Sequence, residues 1–290
     1  MATLKQRRSA NVDGDFYVDA TCIDCDTCRW LAPEVFNRQG EQSAVYHQPD
    51  RAEERFKAMQ ALLSCPTSSI GTVEKPKDIK NVQESLPSPI EDNVYYCGYH
   101  SEASFGAASY LIQRSEGNIL IDSPRFAPPL VKKLEAMGEI KYMYLTHQDD
   151  VADHHKFHEH FGCERILHQD DLTSDTKDVE IQLFGVEPIE FAPDILIIPV
   201  PGHSKGHTVL LYRNKFLFTG DHLAWSSHLN HLTAFPRYCW YSWSEQIKSM
   251  EKLTNYSFEW VLPGHGRRYH GDKEIVHAQI EQCVAWMNQQ

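Results

Sequence analysis

The chain has 290 residues, of which 41% are hydrophobic and 23% are charged, a balance typical of a globular protein with a sizeable core. Its net charge of −12 argues against nucleic acid or an anionic membrane surface as the main partner. The longest apolar stretch, DILIIPV, is far shorter than the ~20 residues of a membrane helix, and no apolar segment follows the basic N-terminus as a secretory signal requires. We therefore expect a cytoplasmic protein, or one of the organelle stroma or matrix in a plant or alga.

Four of the eight cysteines form a pattern near the N-terminus. Cys22, Cys25 and Cys28 lie in CIDCDTC, and Cys65 follows in SCPTSSI, directly before Pro66. Two-residue gaps let three thiolates surround one compact centre, and a fourth thiolate from elsewhere completes its coordination. The pattern predicts a 4Fe–4S cluster, with a zinc knuckle as the alternative.

The sequence before the fourth cysteine predicts a helix. In QPDRAEERFKAMQALLSCP, apolar side chains recur at helical spacing at Ala52, Phe56, Met59 and Leu63. The cysteine spacing, the Cys-Pro pair and this helix together make residues 10–75 resemble the single-cluster bacterial ferredoxins. The resemblance implies a small ferredoxin-like domain that binds one 4Fe–4S cluster through the four cysteines.

A polar segment follows this domain. The stretch EKPKDIKNVQESLPSPIED contains three prolines and has no apolar period, which predicts a linker. We therefore divide the chain into a ferredoxin-like domain of residues 1–75, a linker of residues 76–92 and a second domain of residues 93–290.

The second domain begins with three strand-like runs, VYYCGY, ASYLIQR and NILIDSP, and a helical segment that ends at Gly138. The strand IKYMYLTH and the helix VADHHKFHEHF come next. Three more strands follow, DILIIPVPGH, HTVLLYR and KFLFTGDHL, then the helix SWSEQIKSMEKL, the strand WVLPGHG and a last helix from Asp272. This mixture predicts an α+β fold in which helices cover the sheets.

Three candidate metal ligands stand where these later strands end. His203 lies in VPGHSKGH, Asp221 in FTGDHL and His265 in LPGHG, each beside a glycine that lets the backbone turn sharply. Loops at one edge of a rigid sheet can bring such side chains together around a metal ion. The pattern therefore predicts a metal site at the sheet edge.

Together with LTH at residues 145–147, the order of these motifs over residues 93–270 resembles the metallo-β-lactamase superfamily, which includes glyoxalase II, lactonases and flavodiiron proteins. The resemblance implies an αββα sandwich with its metal site at one edge of the sheets. It implies that His203 binds a first metal, that Asp221 bridges two metals and that His265 binds the second.

The stretch THQDDVADHH departs from the family pattern T-H-x-H-x-D-H. His147 matches the first histidine, and two alignments of the remainder stay open. With a two-residue insertion, Asp149 replaces the second histidine, while Asp153 and His154 supply the Asp-His pair. With a two-residue deletion, Asp149 and Asp150 take the places of that pair, and the first metal loses one ligand. A helix that begins near residue 150 would bring His154 towards the site under either alignment.

Under both alignments a carboxylate stands where the family has an imidazole. Carboxylate oxygen is a harder donor than imidazole nitrogen, which favours iron or manganese over zinc. We therefore expect an altered rather than a lost site that holds one or two transition-metal ions (iron, manganese or zinc), with Asp149 and Asp221 as catalytic residues.

The resemblance implies a metalloenzyme that hydrolyses a small-molecule thioester, lactone or similar ester. The alternative is a di-iron oxidoreductase that receives electrons from the 4Fe–4S cluster and so requires an electron-transfer partner. A redox-sensing binding module without chemistry is the third hypothesis. Arg267, Arg268 and Tyr238 are candidate substrate contacts, whereas Trp240 and Trp243 are equally compatible with the core.

Overall fold

The computed structural model describes residues 2–290, which form two compact units. The first unit contains the chain up to Lys141 together with Ala152–Gly162, and the second contains Tyr142–Val151 together with Cys163–Gln290. None of the helices within residues 2–290 has the length and apolar character that a membrane crossing requires.

The first unit begins with two small antiparallel strand pairs and two helices. Its first elements are β1 (Phe16–Val18), α1 (Thr27–Leu31), β2 (Phe36–Gln39), β3 (Gln42–Val45), α2 (Ala52–Ser64) and β4 (Ile70–Thr72), preceded by a 3-10 turn at Leu4–Gln6. Strand β1 pairs with β4, and β2 pairs with β3. Helix α2 ends directly before Cys65 and buries Met59 and Leu63, as the sequence predicts, whereas Ala52 at its start is exposed.

The segment 76–92 is structured rather than an open linker. It contains helix α3 (Ile79–Glu84) and strand β5 (Ser88–Glu91), which pairs antiparallel with β6 (Val94–Tyr96). Helix α3 buries Val82 completely. Strand β5 lies at the edge of its sheet, where a proline without an N–H group is tolerated. The domain limits stay a prediction.

The remainder of the first unit contains the hairpins and helix that the sequence predicts. Strands β6, β7 (Tyr110–Ile112) and β8 (Asn118–Ile121) pair antiparallel in chain order, and α4 (Pro128–Met137) ends at Gly138. Helix α5 (His154–Phe161) begins four residues later than the prediction, so Asp150 does not share a helix face with His154.

The second unit contains a group of parallel strands and a six-stranded sheet. The parallel group is β9 (Ile140–Tyr144), which crosses from the first unit, β10 (Glu164–His168) and β11 (Ile181–Leu183). The six-stranded sheet has the order β12-β13-β14-β15-β18-β19. The remaining bounds are β12 (Ile189–Ala192), β13 (Ile195–Pro199), β14 (Thr208–Tyr212), β15 (Phe216–Gly220), β16 (Ala224–Ser226), β17 (His231–Thr233), α6 (Trp243–Leu253), β18 (Trp260–Pro263), β19 (Tyr269–His270) and α7 (Lys273–Met287), with 3-10 turns at Gln169–Asp171 and Pro236–Tyr238.

The core of the second unit fixes the strand ends that carry the candidate ligands. Leu217 of β15 and Val261 of β18 belong to the same buried apolar cluster as Met250 of α6 and Ile280 of α7. Burial of each such side chain contributes roughly 1.5–3 kcal/mol, so the strands are held firmly against the helices. Strands β13, β15 and β18 each end a few residues before a candidate ligand.

Candidate metal centres

The four N-terminal cysteines lie around one cavity. Cys22, Cys25, Cys28 and Cys65 line it together with several apolar side chains, and all four are free thiols rather than disulfides. The apolar lining consists of Val18, Ile23, Pro66 and Ile70. Four sulfur donors around one apolar cavity are the coordination chemistry of an iron–sulfur cluster.

Burial makes these cysteines poor thiolates unless positive charge is bound beside them. Burial raises the pKa of Cys25 to about 11, and it raises the pKa of Cys28 further. Bound iron supplies the positive charge that stabilises buried thiolates. The backbone N–H group of Ser69 donates to Cys65 Sγ over 3.2 Å, as expected beside a sulfur ligand. The residues present therefore fit a 4Fe–4S cluster.

In the second unit, two groups of histidine and aspartate side chains lie close together. The first group contains His147, Asp149 and His203, and the second contains His147, Asp150 and Asp221. In each group one donor atom per residue lies within 4.8 Å of the others. The predicted ligands His147, Asp149 and Asp150 therefore lie close to His203 and Asp221, which follow later strands.

The carboxylate of Asp221 lies between the histidines. Its Oδ2 is 3.9 Å from His147 Nε2 and 3.8 Å from His203 Nε2, and its Oδ1 is 2.7 Å from His265 Nδ1. The two oxygens thus face different histidines. Asp149 Oδ2 is 3.2 Å from His203 Nε2 and 3.8 Å from His147 Nε2.

These separations suit donors that share a metal ion. Donor atoms ~2.1 Å from one ion, at tetrahedral or octahedral angles, lie roughly 3–3.5 Å apart. The distances of 3.2–3.9 Å among His147, Asp149, His203 and Asp221 are close to that range. Among residues 2–290, the buried Nε2 of His147 has no hydrogen-bond partner, so its lone pair is available to an ion. The donor set therefore fits one or more transition-metal ions.

The ionisation of these groups also suits cation binding. Burial lowers the pKa of His147 to about 4, so that its ring is the neutral form that binds metals. The hydrogen bond from His203 lowers the pKa of Asp149. Burial would raise the pKa of Asp221, but the neighbouring imidazoles of His265, His147 and His203 hold it well below its usual range.

Two glycines allow the backbone to approach this site closely. A Cβ atom at Gly264 would lie 2.6 Å from Asp150 Oδ2 and 3.2 Å from Asp221 Oδ1, which brings both carboxylates to the loop that carries His265. Gly220 has a φ of +47°, and a Cβ atom there would lie 2.4 Å from the hydroxyl of Thr146. A side chain at Gly220 would therefore be strained, and one at Gly264 would displace the carboxylate of Asp150.

Asp171 was not among the predicted site residues, yet it joins two of the ligand loops. Its buried carboxylate accepts hydrogen bonds from Gln148 N–H at 3.1 Å, Ser204 Oγ–H at 2.5 Å and Gly206 N–H at 2.6 Å. Burial raises the pKa of this carboxyl. The signal that could have identified it is its place just beyond the end of β10, in LHQDD.

His207 also supports the site without belonging to either donor group. Its ring stacks on His147 with centroids 4.8 Å apart, and its Nε2 accepts the backbone N–H of Asp221 at 3.2 Å. Burial holds the pKa of His207 well below its usual value, so the ring stays neutral. This hydrogen bond fixes the backbone at Asp221, whose carboxylate faces His147, His203 and His265.

Two predicted ligands lie outside both donor groups and in the first unit. The carboxylate of Asp153 accepts the backbone N–H of Phe126 at 2.7 Å and pairs with Lys156 Nζ at 2.7 Å. His154 is buried as the first residue of α5. Asp149 lies with His147 and His203, and Asp150 lies with His147 and Asp221, so both alignments of these residues stay open.

An aromatic loop is attached to the backbone of His203. The N–H groups of Trp240 and Tyr241 donate to the carbonyl oxygen of His203 at 2.8 and 3.1 Å. Trp240 is 60% exposed and Tyr238 is 55% exposed, so neither is a core residue, whereas Trp243 is half-buried. The side chains of Arg267 and Arg268 are also half-buried.

Comparisons with known proteins find similarities to both the cysteine-containing segment and the larger remainder of the chain. Residues 18–72 match the family model described as the 4Fe-4S single cluster domain of Ferredoxin I. The DIM-1 metallo-β-lactamase structure is 16% identical with a TM-score of 0.54, covering 69% of this chain and 95% of its own. The metallo-β-lactamase from Hirschia baltica is 16% identical with a TM-score of 0.52, covering 69% of this chain and 95% of its own. The metallo-β-lactamase from Pontibacter korlensis is 14% identical with a TM-score of 0.52, covering 70% of this chain and 98% of its own.

Identities this low establish the fold alone, and a comparison with curated proteins finds no match. The predicted α+β architecture is confirmed, whereas the ligand assignments within it stay a prediction. The chain joins a single-cluster 4Fe–4S ferredoxin domain at residues 18–72 to a metallo-β-lactamase αββα fold that carries candidate His/Asp metal sites.

Proposed function

We propose that this protein is a metal-dependent hydrolase of a small-molecule thioester, lactone or similar ester. The observation that carries the proposal is the carboxylate of Asp221, which lies between His147 and His203 on one side and His265 on the other. Bound metal ions would supply Lewis-acid chemistry, polarising the ester carbonyl and lowering the pKa of water to about 7.

The donors divide into two ligand sets. His147, Asp149 and His203 would hold a first ion, Asp150 and His265 would hold a second, and Asp221 would be shared. Three carboxylates facing two divalent cations leave a small positive charge, which suits an oxygen anion that develops on a substrate carbonyl.

Asp149 is the most accessible carboxylate of this set. Its side chain is 43% exposed, compared with 12% for Asp221, so a substrate reaches the site past Asp149. A carboxylate at the entrance could bind an ion through one oxygen and accept a proton from water through the other. Asp221 is buried and acts by holding the two ligand sets at a fixed separation.

A di-iron oxidoreductase is the second candidate function, and two features favour it. Asp149 places a hard oxygen donor beside His147 and His203, which favours iron or manganese. Residues 18–72 match a single-cluster ferredoxin domain, and such a cluster delivers one electron at a time from an electron-transfer partner. A redox-sensing binding module, the third candidate, would need no metal in the second unit.

The experiment that separates these functions uses protein purified without oxygen. Thioester and lactone substrates are tested with the cluster oxidised and with the cluster reduced by dithionite. A hydrolase loses activity on Asp149→Ala or Asp221→Ala, and its rate is the same in both cluster states. If no ester is cleaved and oxygen or nitric oxide is consumed only after reduction, the oxidoreductase is correct and the hydrolase proposal fails.

Asp170→Ala is the matched control for this assay. Asp170 lies in the same unit and is exposed, with its carboxylate 3.1 Å from Lys205 Nζ and outside both donor groups. This variant is expected to retain wild-type hydrolysis. An equal loss in the control would show that the effect on Asp149→Ala reports general damage rather than the site.

A further inference from the structure

His100 lies outside the matched ferredoxin residues 18–72 but within the same unit, and it contacts the cluster-binding loop. Its side chain is almost completely buried. Its Nδ1 is 3.0 Å from Thr27 Oγ1 and 2.6 Å from the carbonyl oxygen of Gly106, and its Nε2 is 2.7 Å from the hydroxyl of Tyr96. The ring therefore connects Tyr96 of β6 with Thr27, the first residue of α1, which lies between Cys25 and Cys28.

The partners of His100 fix the direction of its hydrogen bonds. A carbonyl oxygen can only accept, so Nδ1 carries the hydrogen and donates to Gly106 O. The same N–H group faces Thr27 Oγ1 as a donor, which leaves the hydroxyl hydrogen of Thr27 to point elsewhere. In the neutral ring Nε2 then accepts from the hydroxyl of Tyr96.

The hydroxyl hydrogen of Thr27 has two acceptors within reach. Cys25 Sγ is 3.4 Å away, a normal distance for a sulfur acceptor. Gly106 O is 3.5 Å away and already accepts the shorter bond from His100. A thiol at Cys25 can donate to Thr27, but a cluster-bound thiolate has no hydrogen and can only accept. The hydroxyl therefore donates to Cys25 when the cluster is bound.

The segment that carries His100 is packed tightly against the cysteines. A Cβ atom at Gly106, where φ is +88°, would lie 2.8 Å from Cys25 Cβ and 3.1 Å from its Sγ. Arg125 connects the end of α2 with the residue before His100. Its side chain donates to Leu63 O at 3.0 Å, and its backbone N–H donates to Tyr99 O at 2.8 Å. His100 therefore has little freedom to move away from Thr27.

We propose that His100 and Thr27 form a hydrogen-bond relay that raises the reduction potential of the 4Fe–4S cluster. Thr27 donates to the Cys25 thiolate, and His100 is a positioning residue that keeps the hydroxyl in its donating orientation. When an external one-electron donor reduces the cluster, negative charge on its sulfur ligands increases. A hydrogen-bond donor to Cys25 stabilises the reduced cluster more than the oxidised cluster. His100, which lies outside the matched residues 18–72, thereby adjusts the reduction potential of the ferredoxin domain.

The test is a redox titration of the full-length holoprotein, with viologen mediators, dithionite as reductant and visible absorbance as the readout. Thr27→Val removes the hydroxyl and keeps the shape. We expect it to lower the ratio of reduced to oxidised cluster about tenfold at a fixed potential, a shift of ~59 mV to more negative values. Thr27→Ser keeps the hydroxyl and is expected to titrate like the wild type.

His100→Phe and His100→Asn form the second pair. The phenyl ring cannot donate, so His100→Phe is expected to shift the potential in the same direction as Thr27→Val. The amide of His100→Asn can replace Nδ1–H and is expected to restore most of the wild-type potential. Because both residues act through one hydrogen bond, the double variant Thr27→Val/His100→Phe should shift no further than Thr27→Val alone.

Iron and sulfide content are measured first for every variant. Equal potentials for Thr27→Val and Thr27→Ser with full cluster content would overturn the relay, as would additive shifts in the double variant. If Thr27→Val loses the cluster, the His100 pair decides, and equal potentials for His100→Phe and His100→Asn overturn the proposal. Tyr96→Phe removes only the outer hydroxyl, and a shift larger than that of Thr27→Val would contradict the stated direction of the bonds.

Discussion

The cysteine cavity takes three of its four sulfur donors from the seven residues Cys22–Cys28, whereas the His/Asp centre takes its donors from four loops between His147 and His265. The first arrangement is set largely by local backbone turns. The second requires several strand ends to be held together, and Asp171 and His207 provide contacts between them. Dispersed sites therefore depend on supporting residues that a local motif does not need.

The two centres also differ in donor chemistry. Sulfur is a soft donor that selects iron–sulfur clusters, whereas the carboxylates of Asp149, Asp150 and Asp221 are hard donors. We therefore expect the two centres to bind their metal ions independently of each other. Variants at each centre should accordingly affect one metal population and spare the other.

The largest effect is expected for Cys25→Ser. Loss of one thiolate ligand from a four-cysteine site should remove most of the visible absorbance of anaerobically purified protein. Cys163→Ser is the control, because Cys163 is a buried cysteine that forms no disulfide and lies outside the cavity. Iron and sulfide analysis checks the result, and tetrahedral zinc without sulfide in the wild type would contradict the cluster.

Asp221→Ala should remove at least one metal ion per chain from the second unit and leave the cluster absorbance intact. Its carboxylate faces both ligand sets, so its loss removes a donor from each. Asp153→Ala is the matched control, because that carboxylate binds Phe126 and Lys156 instead. Metal analysis decides the outcome. Full occupancy in Asp221→Ala would contradict the bridging role of Asp221, and an equal metal loss in Asp153→Ala would show that the effect is not specific to Asp221.

Metal identity should change when the hard donor at residue 149 is replaced. We expect the anaerobic wild type to contain iron beyond that of the cluster, because of its carboxylate donors. Asp149→His should raise the zinc-to-iron ratio at this site, and Asp149→Ala should lose the additional iron, while Cys25→Ser should keep it. A wild-type site that contains only zinc would contradict this prediction.

A smaller effect is expected for Asp171→Asn. The amide nitrogen cannot accept hydrogen bonds, so one of the contacts to Gln148, Ser204 and Gly206 must be lost. Loss of such support typically costs 10–100-fold in metal affinity, and we expect about this loss at the His/Asp centre. Competition with a chelator measures it. Asp170→Asn, the exposed neighbour, should keep wild-type affinity, and an equal loss in both variants would contradict the role of Asp171.

The smallest effect concerns stability and pH. Burial would raise the pKa of Glu180, but its hydrogen bonds with Arg165 hold it at about 2, below the unfolded value of ~4.3. This pair therefore stabilises the fold above pH ~4.3, and the contribution disappears as the pH falls towards the folded value.

Glu180→Gln removes the negative charge that faces the buried Arg165, so we expect a loss of about 1–3 kcal/mol at pH 7. Urea unfolding of metal-free protein should show this difference from pH 7 to about 4.5, and the difference should shrink at lower pH. Glu190→Gln, an exposed residue, is the control. A difference that does not change with pH would contradict an ionic origin.

Much of the fold was predictable because its signals are local. Gly138 ends α4 and Asp272 precedes α7, as the sequence indicates, and α6 lies within the predicted helical stretch SWSEQIKSMEKL. The sequence did not reveal helix α3 and strand β5 within residues 76–92, because prolines at a sheet edge resemble prolines in an unstructured segment. Whether such a segment becomes an edge strand depends on its pairing with another strand, which local composition does not reveal.

The candidate site was less predictable than the fold. His203, Asp221 and His265 were identified because each follows a strand and a glycine. The positions of Asp149 and Asp150 could not be decided, because the start of α5 at His154 depends on packing rather than on a strong capping signal. Asp171 was missed because hydrogen bonds to distant loops leave no sequence spacing to recognise.

The inclusion of Ala152–Gly162 in the first unit has a consequence for how the protein is made. The chain passes from one unit to the other three times, so no single peptide bond can be cut to yield two complete halves. During synthesis the first unit stays incomplete until Gly162 has emerged, by which time the residues from Tyr142 to Val151 are already outside the ribosome.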